Sequence, residues 1–158
     1  VGHARYVWSA AFSPDGMLVV TASLDSTAKI WEVGSGECLR SLEQHEHYVR
    51  SAAFSPDGRL VVTASEDRSA KIWSVMSGEC LRSLQGHEDS VVSVAFSPDN
   101  ALVATASADR TVKIWDKESG ESLRSLEGHA GRVRSAAFSP FVASACATSG
   151  TGTRARSL

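Results

Sequence analysis

Histidine, aspartate and a hydroxyl residue are the materials of a nucleophile–base pair, and this chain carries all three at fixed intervals. His3, His45, His87 and His129 follow one another at steps of 42 residues (45 − 3 = 42). Asp25, Asp67 and Asp109 keep the same step, with serines and threonines close before each, and so do Trp31, Trp73 and Trp115. A hydrolase needs one nucleophile and one base beside one oxyanion site. A set that recurs at equivalent places is a structural repeat instead. Thiol chemistry has no better support. Cys38 and Cys80 are equivalent, the next copy has Ser122, and with Cys146 the total is an odd three. That argues against a disulfide framework or a metal site and for reduced thiols packed as small apolar groups. No Gly-rich phosphate loop, Cys/His metal spacing or G-x-S-x-G motif occurs. The expectation is no catalytic residue, no metal and no cofactor.

The elements that position these residues repeat with them. The stretch Leu60 to Trp73, L-V-V-T-A-S-E-D-R-S-A-K-I-W, has counterparts at Leu18 to Trp31 and Leu102 to Trp115. Two apolar runs, too short for helices and separated by polar turn residues, predict a β-hairpin. Each unit parses into four strands. In the first, strand a runs Val7 to Ser13, strand b from about Met17 to Ser23, strand c from about Ala28 to Val33, and strand d Glu37 to Leu42. Ser13-Pro14-Asp15-Gly16 is a turn in which Pro presets φ and Gly takes the left-handed position; Asn100 stands there in the third unit. Strands a, b and c are apolar on both faces, with Val61 on one side and Leu60 and Val62 on the other. Such a sheet must be covered on both sides. Like sheets stacked face to face in a radial array supply that cover, with polar strand d at the rim.

Composition bounds the rest. The chain of 158 residues is 42% hydrophobic and 22% charged, with a formal net charge of −2. That balance disfavours nucleic acid and anionic membranes as partners. No apolar run reaches the roughly 20 residues needed to span a bilayer. The thiols fit an intracellular, reducing setting, the cytoplasm first and the nucleus second.

The Gly-His pairs (Gly86-His87, Gly128-His129), the F-S-P-D-G turn, an Asp six residues before a Trp and the 42-residue period together resemble the WD40 repeat of β-propellers. The resemblance covers about Val1 to Pro140. It implies an all-β chain of three complete four-stranded antiparallel blades and a partial fourth in an open, incomplete ring, with strand a lining the central channel. It also implies a hydrogen-bonded tetrad in each blade: His3, Thr21, Asp25 and Trp31; His45, Thr63, Asp67 and Trp73; His87, Thr105, Asp109 and Trp115. Ser23, Ser65 and Ser107 are alternatives for the hydroxyl. A buried indole N–H needs an acceptor and a buried Asp needs donors, so the group has a physical rationale.

The expected domain is residues 1–147, with blades over about 6–42, 48–84 and 90–126 and a partial one over 132–147. Residues 148–158 are expected to be a disordered tail, because they lack apolar periodicity. In the fourth unit Phe141 to Ala145 imitates strand b, Thr148 stands where the Asp is expected, and no Trp follows. Three blades and a part cannot close a ring of four to eight. With no Met before Val1, the chain reads as a piece of a larger propeller, with apolar terminal faces exposed and self-association through them as the alternative.

Comparing the units shows which positions vary within the constant frame. After the Val of strand a come Trp8, Arg50, Val92 and Arg134; two residues earlier, Tyr6, Tyr48, Ser90 and Arg132; before the Asp, Leu24, Glu66 and Ala108. The resemblance places these around the channel mouth, a face that docks peptides and proteins. Aromatics and Arg are typical interface anchors. The candidate binding residues are therefore Tyr6, Trp8, Leu24, Tyr48, Arg50, Glu66, Val92, Arg132 and Arg134. The arginines suit an acidic or phosphorylated ligand. The expected function is a non-catalytic scaffold or adaptor for proteins or peptides. The alternative is a regulatory or sensor module of a larger protein carrying a nucleotide-binding or kinase domain.

Overall fold

The structure, a computed structural model, describes residues 2–140, 145–149 and 156–157. The first sheet holds β1 (Val7–Phe12), β2 (Leu18–Ser23), β3 (Ala28–Glu32) and β4 (Cys38–Leu42). The second holds β5 (Val49–Phe54), β6 (Leu60–Ser65), β7 (Ala70–Ser74) and β8 (Cys80–Leu84). The third holds β9 (Val91–Phe96), β10 (Leu102–Ser107), β11 (Val112–Asp116) and β12 (Ser122–Leu126). A fourth has three strands: β13 (Val133–Phe138), β14 (Ala145–Ser149) and β15 (Arg156–Ser157). Every sheet is an antiparallel meander in chain order. The inner strands β1, β5, β9 and β13 neighbour one another in turn, so the sheets fan out around them, and no sheet closes on itself among the described residues.

The turns follow from local chemistry. Gly16 and Gly58 close their S-P-D-G turns at φ 73° and 70°, and Asn100 takes the same corner at φ 61°. Left-handed backbone costs Gly nothing and Asn little. Ser13 and Asp15 lock the turn: the Ser13 hydroxyl donates to Asp15 at 2.6 Å, and the Met17 amide donates to the same carboxylate at 2.9 Å.

Packing between sheets supplies the core. Val20, Ala22, Ala28, Ile30 and Leu42 of the first sheet meet Val49, Ala52, Phe54, Val61 and Trp73 of the second in one buried cluster. Val62, Ala64, Ala70, Ile72 and Leu84 then meet Val91, Val94, Phe96, Val103 and Trp115. Val61 and Val62 thus serve different interfaces, as strand alternation requires. Among the described residues no sheet packs against the leading face of the first sheet. Phe12 is 66% exposed, whereas its equivalents Phe54 and Phe96 are each 9% exposed. Val7 is 51% exposed where Val49 and Val91 are fully buried. The apolar leading face expected from the sequence is present and uncovered.

Two expectations about the fourth unit change. The strand predicted over Phe141 to Ala145 runs Ala145–Ser149 instead, and 141–144 lie outside the described residues. Phe138 pairs with Ala145 as Phe12 pairs with Val19, so the 42-residue register persists. Thr148 therefore stands at the place of Ala22, not of an Asp. The expected disordered tail is also shortened. Thr148 and Ser149 belong to β14, and Arg156 and Ser157 pair with it as β15. Pairing is made by backbone groups and needs no apolar periodicity. Residues 150–155 and 158 lie outside the described residues.

Arginines tie the outer edges together. Arg40 on β4 donates from Nε to the Met76 carbonyl of the next sheet at 3.1 Å, and Arg82 on β8 does the same to Glu118 at 2.7 Å. A side chain at Gly78 would come within 2.9 Å of Arg40 Cδ, and the residue sits at φ 76°, so any other residue there is strained.

Candidate functional site

In each of the three full sheets, the four recurring residues form one hydrogen-bonded chain. In the second, Trp73 Nε1–H donates to Thr63 Oγ1 at 2.9 Å, Thr63 Oγ1 meets His45 Nε2 at 2.7 Å, and His45 Nδ1 meets Asp67 Oδ2 at 2.7 Å. The first sheet repeats this through Trp31, Thr21, His3 and Asp25, and the third through Trp115, Thr105, His87 and Asp109. A neutral imidazole protonated on Nδ1 satisfies every group. It accepts from the threonine hydroxyl and donates to the carboxylate.

The Asp receives more donors than the sequence suggested. Asp67 accepts from the Ser69 amide and hydroxyl at 2.9 and 2.6 Å and from the Glu46 amide at 3.2 Å. Thr27 and Thr111 take the role of Ser69 in the other sheets. A hydroxyl two residues after each Asp was a legible signal, since Thr27, Ser69 and Thr111 keep the 42-residue step. The serines before the Asp do other work: Ser65 accepts from the Asp67 amide at 3.1 Å and donates to the His47 carbonyl at 3.0 Å, which leaves the threonine as the tetrad hydroxyl.

These contacts set protonation. Burial alone would raise the Asp109 carboxyl, but bonds from Thr111, His87 and the Glu88 amide outweigh it and bring it down to about 2. In Asp25 and Asp67 the same opposition also ends well below the ordinary range, with Thr27 and His45 respectively the leading donors. Burial pushes His87 below 6.5 against the pull of Asp109, which keeps it neutral near pH 7. Thr63 and Thr105 are fully buried, so their hydroxyls offer no surface to a substrate. Among the described residues no group of three or more His, Cys, Asp or Glu is placed to hold a metal ion.

The variable positions gather at the ends of the inner strands. Trp8, Arg50, Val92 and Arg134 are each the extra residue of a β-bulge, flanked by regular pairs such as Val49–Ser65 and Ser51–Ala64. A bulge re-aims its side chain out of the alternating pattern. The Leu24 amide donates to the Tyr6 carbonyl at 3.0 Å, Glu66 to Tyr48 at 3.0 Å, and Ala108 to Ser90 at 2.9 Å. In the three full sheets, backbone bonds thus hold two of the variable residues beside the bulge that carries the third. Arg50 stands with its guanidinium carbon 4.3 Å from the centre of the Trp8 ring, and its Nε donates to Glu66 Oε1 at 2.7 Å. Its Nη2 also pairs with that oxygen. Trp8, Arg50 and Glu66, singled out separately by their variability, thus form one cluster across two sheets. Leu24 and Val92 are half-buried, while Tyr6, Trp8 and Tyr48 are exposed, Tyr6 the most, and Arg132 and Arg134 are exposed on the fourth sheet. An open polar cleft of about 260 Å³ is lined by Asp67 and His87 of two tetrads together with Glu46, Arg68, Lys71 and Gln85.

The family model for "WD domain, G-beta repeat" matches residues 1–32, 36–74, 78–116 and 120–153. The chain belongs to the WD40-repeat family. The four matches span the three full blades and the partial fourth. The chain is similar to the ribosome biogenesis protein BOP1 homologues of Drosophila grimshawi (40% identical over 45 residues) and Drosophila erecta (42% over 45 residues). Each similarity covers 28% of this chain and 6% of the relative. Forty-five residues are about one blade. No helix among the described residues is long and apolar enough to cross a membrane. WD40 repeats are protein-interaction scaffolds, and the all-β blades fit that role.

Proposed function

We propose that this WD40 chain is a non-catalytic scaffold that binds a protein through the mouth formed by the bulged ends of its inner strands. The observation that carries this is the bulge residue itself. Val, Ser and Phe stay constant around it in every unit, while it changes in size and charge from Trp8 to Arg50 to Val92 to Arg134. Folding needs the constant residues; the variable one is free to serve recognition. Trp8 and Arg50 are its anchors. Trp8 offers a large amphipathic surface at low entropic cost, and the Glu66–Arg50 pair stacked on the ring limits its motion before a partner arrives. Tyr6 and Tyr48 flank it. The reading places the protein inside the cell, where the free thiols Cys38 and Cys80 persist. The likeness to the BOP1 homologues extends over about one blade, so it supports the repeat and carries no partner with it.

The test is selection from a random peptide library on the immobilised chain, with counter-selection on Trp8→Ala/Arg50→Ala. Peptides that bind the parent and lose the double variant are expected. Selected peptides indifferent to both substitutions would remove the mouth as the binding face.

A further inference from the structure

The mouth is uneven in charge, and the reason lies in one missing residue. Strand β13 repeats β5 residue for residue, V-R-S-A-A-F at Val133–Phe138 and at Val49–Phe54. Both carry an Arg in the same bulge. Arg50 is neutralised by Glu66. Ser149 pairs with Val133 as Ser65 pairs with Val49, so the residue matching Glu66 is the next one, Gly150. The fourth unit therefore keeps the arginine and drops its counter-ion. It also replaces Tyr48 with Arg132. Arg132 and Arg134 are both exposed, and neither meets a carboxylate among the described residues. The inner strands stand in order from β1 to β13, so the mouth runs from an aromatic end at Tyr6 and Trp8, past a compensated arginine and half-buried Val92, to an uncompensated cationic end.

We infer, resting on the binding reading above, that the mouth takes an acidic peptide, with an apolar or aromatic side chain on Trp8 and Tyr6 and carboxylates on Arg132 and Arg134. Free guanidiniums bind carboxylates through charge-assisted, often bidentate, hydrogen bonds. A nucleic acid fits less well. The loops preceding the inner strands carry exposed Glu46, Glu88 and Asp89, and the whole chain is at −2. A phosphate at every nucleotide would meet those carboxylates, whereas a peptide confines its charge to one end.

Fluorescence anisotropy on the 158-residue chain tests this with labelled peptides and a uridine oligonucleotide. One peptide has Leu-Trp followed by alternating Asp and Glu; its partner has Asn and Gln in their place. The acidic peptide binds about tenfold tighter or more, and the preference disappears in Arg132→Glu/Arg134→Glu. The thermal melt of Arg132→Glu/Arg134→Glu matches the parent, since the altered arginines are exposed. Equal affinity for the two peptides, no binding of the acidic peptide at millimolar concentration, or tighter binding of the oligonucleotide overturns the inference. Binding that is lost in Trp8→Ala/Arg50→Ala yet indifferent to peptide charge removes only the charge assignment. Binding unaffected by that double variant removes the mouth as well.

Discussion

Replacing Thr63 with Val removes a hydroxyl and keeps the shape of the side chain. In the native blade that oxygen accepts the Trp73 indole N–H at 2.9 Å and meets His45 Nε2 at 2.7 Å. Thr63 is fully buried and Trp73 is 1% exposed, so water cannot replace the lost partner. Two groups are orphaned at roughly 1–3 kcal/mol each, and the sum is about 2–6 kcal/mol. For a chain of this size, 1 kcal/mol moves Tm by about 2–4 °C, so the variant melts roughly 4–24 °C lower. Thr21→Val is the matched control. It breaks the same bonds to Trp31 and His3, at 2.8 and 2.6 Å, but Thr21 and Trp31 are only half-buried on the uncovered leading face. Water reaches them there, and the loss falls to about half or less. Circular dichroism melts of the two variants beside the parent decide the matter. An unchanged Tm for Thr63→Val, or equal losses for both, refutes the argument that burial makes the tetrad costly to break.

Three further outcomes follow from the same geometry. Stability falls with acid: the depressed His87 leaves the unfolded chain the stronger proton binder below pH 6.5, and the depressed Asp109 does so from 3.8 down to about 2. Urea midpoints therefore drop mildly over the first interval and steeply over the second, and Asp109→Asn flattens the lower limb. Phe54→Ala costs about 3–5 kcal/mol by opening a cavity between blades, whereas Phe12→Ala, 66% exposed, costs little; paired urea titrations separate them. Arg82→Ala loses the bond to the Glu118 carbonyl and about 0.5–1.5 kcal/mol, while Arg124→Ala, at the same place in a strand with no such partner among the described residues, leaves the melt unchanged.

The sequence by itself determined the blades. A strict 42-residue step, β-branched runs and S-P-D-G turns are local or periodic signals, and the strands fall within a residue or two of their expected ends in the first three units. The tetrad members were legible because His, Thr, Asp and Trp recur in step. The second hydroxyl on each Asp was visible in the same way, at Thr27, Ser69 and Thr111, but only the folded turn gives it a purpose. The fourth unit was less legible: backbone pairing carries β14 and β15 through residues whose side chains show no pattern, so a reading built on apolar periodicity missed them. Tertiary structure alone decided which equivalent residues are buried. Phe12 and Phe54 have the same neighbours in sequence, and only the presence of a blade in front separates a solvent-facing ring from a core one. It alone joined Trp8, Arg50 and Glu66, because the bulge that aims each inner-strand side chain and the stacking that brings two blades together act between residues far apart in the chain, where no local propensity reaches.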